Sequence, residues 1–467
     1  MDRLKGKRIH FIGIGGISMS AIANFLLESN IKVSGSDLIY NNKIKELESK
    51  GASITIGHEK ENVETADIVV ISSAIPEENS ELRYARKNDI KVYKRAEMLA
   101  EIAKDKRLIA VSGSHGKTTT TGMLANIFVK SGKDPSIMVG GDIDLLTGNY
   151  RSGNGEFFIT EADESDGSLL YFNPEISIIT NIEPEHLDYY GQEEKLYDTM
   201  YKFIKKTNKN GTILCFDDKG IRDNLLKRRL NQDENIPVAG YGLKNGDYRA
   251  EIINQDSFFT AYKLYFNGEF IDEVKMQLTG EHNVLNSLGA IAASRKAGLE
   301  WEDIIAGLSS FQGVKRRFEF KGEINDIKII DDYAHHPSEL ETVIKAAKSL
   351  DSNQIRFVFQ PHRFTRTRNL WYDFIKVLSD QDIFFYIVDI YSANQPRIEN
   401  ISSKKLVEEI KLKNPDINIE YVGSLDKASN LLVKVLNRGD LILTVGAGDV
   451  FKIGDYILNA LRCGQDD

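Results

Sequence analysis

The residues best suited to chemistry are Lys117 and its neighbours in the run Gly113-Ser-His-Gly-Lys-Thr-Thr119. Two glycines let successive backbone N–H groups turn to one concave side, and the lysine can reach the outer phosphates of a nucleotide. Thr118 supplies a hydroxyl suited to the magnesium that travels with ATP. An apolar strand, Leu108 to Val111, precedes the loop, and Met123, Leu124, Ile127 and Phe128 mark a helix from Thr118 to Lys130. A phosphate loop requires that context, although the longer G-x-x-x-x-G-K-[ST] pattern wants glycine where Val111 stands. A plain strand-to-helix turn is the alternative.

Two acidic strand ends follow. Phe157-Phe-Ile-Thr160 runs into Glu161-Ala-Asp-Glu-Ser-Asp166, and Ile176 to Asn181 runs into Glu183-Pro-Glu-His186. In an open parallel sheet such ends share one edge with the phosphate loop. Hard oxygen donors near a triphosphate imply Mg²⁺, with Mn²⁺ as the other choice, and His186 adds a nitrogen ligand to that ion or to a second one. Glu161 and His186 are the selected ligands, because Asp163, Glu164 and Asp166 also suit helix capping. Further on, His282, Asn283 and Asn286 cluster at the start of a helix running to Ser294. Capping accounts for one of them, and a contact beside a nucleotide would account for the others.

A third set closes apolar runs in the last third of the chain: Asp331-Asp-Tyr-Ala-His-His-Pro337, Pro361-His-Arg-Phe-Thr-Arg366 and Gly446-Ala-Gly-Asp449. Arginine presents a planar fork, so this rim reads as a carboxylate or phosphate site. Ser338-Glu-Leu-Glu341 is a capping-box pattern that starts the helix after Pro337.

Positioning these sets takes an α/β scaffold, and short apolar runs alternating with helical spacing supply one. The chain opens with a strand, Arg8 to Ile12, the loop Gly13-Ile-Gly-Gly-Ile-Ser-Met-Ser20, a helix through Ala21, Ile22, Phe25 and Leu26, and a strand from Ile31 to Asp37. The loop is a broken dinucleotide fingerprint, with Ser18 in place of its third glycine. It suits a diphosphate-bearing ligand, NAD or FAD, or a tight turn. From Gly211 the pattern turns strand-rich, and Asn267-Gly268 joins a hairpin from Phe258 to Met276. The expected organisation is a Rossmann-like domain over 1–95, a central phosphate-loop α/β domain with an added β-hairpin region over 96–312, and a second Rossmann-like domain over 313–467.

Composition bounds the partners. The 467 residues, 41 % apolar and 28 % charged, describe a globular chain of about three domains. A net charge of −9 argues against nucleic acid or an anionic membrane as main partner. The two cysteines, Cys215 and Cys463, build no disulfide framework and point to a reducing compartment. Met1 leads into no signal-peptide core, and no apolar run approaches about 20 residues, so a cytoplasmic protein without membrane insertion is expected.

Six motifs in series resemble those of the Mur ligases of peptidoglycan synthesis. They are Gly113-Ser-His-Gly-Lys-Thr-Thr-Thr120, Glu161-Ala-Asp-Glu-Ser-Asp166, Thr180-Asn-Ile-Glu-Pro-Glu-His-Leu-Asp188, Gly280-Glu-His-Asn-Val-Leu-Asn286, Asp331-Asp-Tyr-Ala-His-His-Pro337 and Gln360-Pro-His-Arg-Phe-Thr-Arg-Thr-Arg368. The set is most similar to the members that join L-alanine to UDP-N-acetylmuramate. The resemblance implies a first domain holding the UDP-sugar, a central ATPase domain, and a last domain closing over ATP and the amino acid. Carried over by motif position, Gly113, Ser114, His115, Gly116, Lys117, Thr118 and Thr119 would surround the ATP phosphates. Thr118, Glu161 and His186 would hold the metal. His282, Asn283 and Asn286 would lie by the nucleotide, which Arg317 and Asp331 would contact from the last domain. Tyr333, His336, Arg363 and Arg366 would line the alanine site, and Gly13, Gly15 and Gly16 with Ser36, Asp37 and Ser73 would take the UDP-sugar. One departure stands out: Ser18 and Ala21 occupy positions where the family usually has further glycines.

The implied reaction passes the γ-phosphoryl group of ATP to the lactoyl carboxylate, and the amine of alanine attacks the resulting acyl phosphate. Lys117, His186 and His336 form the expected catalytic set, His336 either as the base for the amine or as a partner of alanine's carboxylate. ATP, UDP-N-acetylmuramate and L-alanine are the implied small-molecule partners of a monomer or homodimer. Three other readings remain. The related ligase that recycles a preformed tripeptide tends to carry tyrosine where Ser165 stands. A nucleotide-gated regulatory protein with a decayed site would not need Lys117, Glu161 and His186 intact. A nicotinamide dehydrogenase is the third.

Overall fold

The computed structural model describes residues 2–463 apart from 73, 142, 144, 147, 185–186, 233–235, 256–258 and 394. The chain divides into two compact units, Met1–Gly313 and Val314–Asp467.

The first unit carries two sheets. In the first sheet β1 (Arg8–Ile12), β2 (Lys32–Asp37), β3 (Ser53–Ile56), β4 (Ile68–Ile71) and β5 (Lys91–Lys94) lie in the order β3-β2-β1-β4-β5, all parallel. Strand order reverses beside β1, so the loop Gly13 to Gly16 opens at a topological switch point, where α/β sheets bind ligands. The second sheet contains β6 (Arg107–Ser112), β7 (Ser136–Met138), β8 (Tyr150–Arg151), β9 (Phe157–Glu161), β10 (Ile176–Ile179), β11 (Thr212–Cys215), β12 (Val238–Gly242), β13 (Tyr248–Gln255), β14 (Thr260–Phe266) and β15 (Glu269–Met276). Its order is β15-β14-β13-β12-β11-β10-β6-β9-β7-β8, with β6 paired in parallel to both β9 and β10. That pairing sets the phosphate loop between the two acidic strand ends. Leu108 to Val111 are buried throughout, which a parallel strand covered on both faces requires.

The helix Lys117–Lys130 packs on the helices Glu281–Lys296 and Trp301–Ser309, and Asn126 Nδ2 donates to Gly307 O at 2.6 Å. Strands β14 and β15 form the expected hairpin, with Asn267 (φ 50°) and Gly268 (φ 87°) both left-handed, as a type I′ turn demands. Its expected first residue, Phe258, lies outside the described residues. Glu28, Lys50 and Tyr150 tie the two sheets together, with the Tyr150 hydroxyl 2.7 Å from Glu28 Oε1 and Lys50 Nζ 3.0 Å from that hydroxyl.

The second unit holds one sheet, built from β16 (Glu319–Ile324), β17 (Ile327–Asp332), β18 (Ile355–Phe359), β19 (Phe384–Val388), β20 (Ile419–Gly423) and β21 (Leu441–Val445). The order is β16-β17-β21-β18-β19-β20, parallel except for β16. Alternation divides its core: Phe357, Phe359, Phe385 and Leu443 face one layer of helices, while Ile329, Val358, Val388 and Ile442 face the other. The capping box after β17 stands two residues earlier than expected. Pro337 is the first helical residue, so the cap falls on His336, and Glu339 accepts the N–H groups of His336 (3.0 Å) and His335 (2.8 Å). Among the described residues no helix is long and apolar enough to cross a membrane.

Candidate active site

Beyond β6 the chain turns at Gly113 (φ 131°) and Gly116 (φ 82°), conformations that L side chains avoid. Space forbids a side chain there too: a Cβ on Gly113 would strike Thr180 and Asn181, and one on Gly116 would strike the Asn286 amide. The loop is held from the end of β10. Thr180 Oγ1 donates to His115 O (2.6 Å), Asn181 Oδ1 accepts the His115 N–H (2.8 Å), and the Glu183 N–H donates to Ser114 Oγ (2.9 Å). Gly116 caps the helix Lys117–Lys130 without a side-chain bond, which leaves first-turn N–H groups for an anion.

Lys117 Nζ folds back over this loop, donating to Gly113 O (2.6 Å) and to both oxygens of Glu164 (2.9 and 2.8 Å). Glu164 is 1 % exposed. Burial raises its carboxyl pKa, against the pull of the Lys117 charge. Burial alone would raise Asp163 as well, but the Lys117 charge and the Ser165 N–H bring it below the ordinary value. Glu164, set aside on sequence grounds as a cap, is therefore the direct partner of the loop lysine. Its spacing from Glu161 carries no signal of that, because the pairing spans two strand ends.

Glu161 stands at the end of β9 and accepts the Gly140 N–H at 2.6 Å. Thr118 and Thr119 are half-buried in the first turn of the loop helix. His186 lies outside the described residues, and among the described residues no cluster of three or more His, Cys, Asp and Glu could hold a metal. The donors that remain, the Thr118 hydroxyl and the Glu161 carboxylate, are hard oxygens of the class Mg²⁺ takes beside phosphates, so the site fits that ion. Asn286 comes up to Gly116, whereas Asn283 bonds Thr279 O (2.8 Å) and His282 is exposed.

In the first sheet, Gly13 (φ 80°) and Ile14 donate to Ser36 O, and Asp37 Oδ2 accepts the Gly15 N–H at 2.8 Å. Gly16 leads into the helix Ile17–Glu28. Ser36 corrects the expectation. Its side chain is fully buried, donating to Glu81 (2.6 Å) beside His58 (2.9 Å), because alternation along β2 turns it to the face opposite Asp37. Ser73 lies outside the described residues.

In the second unit the ends of β17, β18 and β21 meet. Tyr333, His335 and His362 form a row, with ring centroids 5.5 Å and 5.9 Å apart. Arg366 Nη1 lies 3.2 Å from His362 Nδ1, and since guanidinium only donates, the neutral ring carries its proton on Nε2. Burial and then the Arg366 charge push the His362 pKa down to about 4. Arg363 is exposed and strained, at φ 70° and ψ 133°. Arg317 is exposed, its guanidinium 5.7 Å from the Tyr333 ring.

Two expected site residues have partners within the protein here. Asp331 is fully buried and bonded to Arg316 Nε (2.9 Å) and Thr444 (2.6 Å), so its carboxylate is engaged by those two residues. His336 caps the helix, with Nδ1 2.9 Å from Ser338 Oγ and 3.4 Å from the Ser338 N–H, so that nitrogen is engaged within the cap and Nε2 faces outward from an exposed side chain. Arg316, next to the residue singled out by motif, was missed. It donates to Gly446 O and Gly448 O and clamps the loop after β21.

Three family patterns match in series: Mur ligase family, catalytic domain, over 8–107; Mur ligase middle domain over 111–294; and Mur ligase, glutamate ligase domain, over 316–448. The UDP-N-acetylmuramate–L-alanine ligase of Geotalea daltonii is 42 % identical over 98 % of this chain and 99 % of its own length. The protein of the same name from Clostridium acetobutylicum is 43 % identical over 97 % and 98 %. Among solved structures, UDP-N-acetylmuramate-alanine ligase from Thermotoga maritima matches with TM-score 0.77 and 28 % identity, over 98 % of this chain and 100 % of that one. A murein peptide ligase from Psychrobacter arcticus shares the fold, at TM-score 0.70 and 24 % identity over 98 % and 99 %. With its three domains matched in order and relatives alike over nearly their whole length, the chain belongs to the Mur ligase family.

Proposed function

We propose that this chain is the ATP-dependent ligase that joins L-alanine to the lactoyl carboxylate of UDP-N-acetylmuramate in peptidoglycan precursor synthesis. The observation that carries the reading is the phosphate loop with Lys117 at its mouth, within a chain alike from end to end to relatives named for that reaction. We assign 1–95 to the UDP-sugar, 96–312 to ATP and 313–467 to alanine, and place the reaction in the cytoplasm with its nucleotide substrates.

A carboxylate resists attack by an amine, so it is first activated. One carboxylate oxygen attacks the γ-phosphorus, ADP leaves, and the acyl phosphate forms. The alanine amine then attacks the acyl carbon and phosphate departs. Lys117 stabilises charge on the transferring group, an electrostatic task for which its place over Gly113 suits it. The phosphates must first draw it from Glu164, which keeps the ammonium paired until ATP arrives. Thr118 and Glu161, with His186, would hold Mg²⁺, which when bound offsets phosphate charge. Arg363 and Arg366 present guanidinium forks to the alanine carboxylate, and His336 serves either as the base that takes the amine's proton or as a further partner of that carboxylate. Gly13, Gly15 and Asp37 shape the diphosphate loop of the UDP-sugar.

The test is phosphate release from Mg-ATP and UDP-N-acetylmuramate with no acceptor, L-alanine, or the tripeptide L-Ala-γ-D-Glu-meso-diaminopimelate. Release that needs the sugar nucleotide and L-alanine together is expected. Release with the tripeptide alone would make this the recycling ligase, and none with either would end the assignment.

A further inference from the structure

We infer that Tyr391, in the loop after β19, is the positioning residue that sets His362, Arg363 and Arg366 for the amino acid. The inference rests on the assignment of Arg363 and Arg366 to alanine.

Tyr391 joins loops that are far apart in sequence. Its N–H donates to Pro361 O (2.9 Å) and its carbonyl accepts the Arg363 N–H (2.8 Å), a parallel bridge that pairs Tyr391 with His362. The second of these bonds holds Arg363 at a positive φ that L side chains rarely adopt. The Tyr391 ring lies parallel to the His362 ring, 5.6 Å between centroids and 8° between planes. Gly448 also lies close to the base of this side chain, where a Cβ would collide with Tyr391 Cβ and Cγ, so the half-exposed tyrosine touches both His362 and the loop after β21. Arg316 clamps that loop through Gly446 O and Gly448 O, and Gln360 Nε2 bonds Asp449 at 2.9 Å.

The consequence follows step by step. Backbone bonds survive substitution of Tyr391, but the ring contact does not. Without the ring, His362 loses the surface that fixes its plane, and Arg366 loses a fixed Nδ1 to bond. The fork of Arg366 then samples more rotamers, and an alanine carboxylate must order it on binding. Arg316 keeps its bonds to Asp331, Gly446 O and Gly448 O without the Tyr391 ring, so KM for ATP is expected to hold.

The test compares Tyr391→Ala and Tyr391→Phe in the full chain, reading KM for L-alanine, ATP and UDP-N-acetylmuramate separately. Tyr391→Ala is expected to raise KM for L-alanine roughly tenfold with kcat and the other two KM values within about twofold, and Tyr391→Phe to keep the parent values. An unchanged KM for L-alanine, or an equal rise in all three, would overturn the inference. Should Tyr391→Ala fail to fold, Tyr391→Leu keeps apolar bulk without a flat ring and carries the same readout. Arg366→Ala run in parallel separates the two claims. If it leaves KM for L-alanine unchanged, the alanine assignment falls and Tyr391 with it. If it raises that KM while Tyr391→Ala does not, the Tyr391 inference alone fails.

Discussion

The phosphate loop of the first unit and the arginine-histidine rim of the second both present donors to an anion, yet their backbones differ. In the loop the left-handed positions are glycines, Gly113 and Gly116, and the donors are successive N–H groups of one short segment. In the rim the left-handed positions carry side chains: Arg316 (φ 61°), Phe318 (φ 49°) and Arg363 (φ 70°). Each costs free energy that only the surrounding contacts can hold. Arg316 is held by Asp331, Gly446 and Gly448, and Arg363 by Tyr391. A site for phosphate, the same in every nucleotide, can be a local backbone motif. A site selecting one amino acid, as we propose for the rim, would need side chains at defined angles, which strained backbone at Arg316 and Arg363 can aim.

The strongest way to break that contrast is Lys117→Ala, expected to lower kcat/KM for ATP by about a thousandfold and to lower the thermal midpoint as well, because Glu164 is left buried without its cation. A loss of ten- or twentyfold would mean that the loop backbone carries the charge without its lysine. Gly116→Ala should cost about 1–2 kcal/mol of stability in urea titrations and raise KM for ATP, since the new Cβ is both left-handed and pressed on Asn286. Arg363→Gly should do the reverse, gaining about 1 kcal/mol by releasing strain while KM for L-alanine rises. Loss of stability in that variant would show that Arg363 is relaxed.

The smallest effect is in pH. The folded pKa of His362, about 4, lies below the ordinary 6.5, so the unfolded chain binds more protons between those values. The stability gained by keeping the ring neutral is present above pH 6.5 and lost as pH falls toward 4. The urea midpoint should fall across that window, and His362→Asn should flatten part of the fall.

The same contrast explains what the sequence revealed. Strand, glycine loop and helix around Lys117 are contiguous, so periodicity and residue type sufficed, as they did for the Asn267-Gly268 hairpin. Asn286 was legible because three polar residues crowd one helix start, although only the fold shows which of them reaches Gly116. Glu164, Arg316 and Tyr391 were not legible, since each acts through a partner on another strand end and no local pattern distinguishes them from caps or loop residues. Ser36 misled for a related reason: it adjoins Asp37, but a strand turns neighbours to opposite faces. Pro337 moved the helix cap from Ser338 to His336, because its fixed φ and missing N–H suit the first helical position.

The most direct measurement follows oxygen. UDP-N-acetylmuramate labelled with oxygen-18 in its lactoyl carboxylate, incubated with the chain, Mg-ATP and L-alanine, should deliver one labelled oxygen into each released phosphate, because the acyl phosphate keeps its bridging oxygen on phosphorus when the amine attacks carbon. Phosphate released without label, alongside alanylated product, would contradict the activated-carboxylate account of this site.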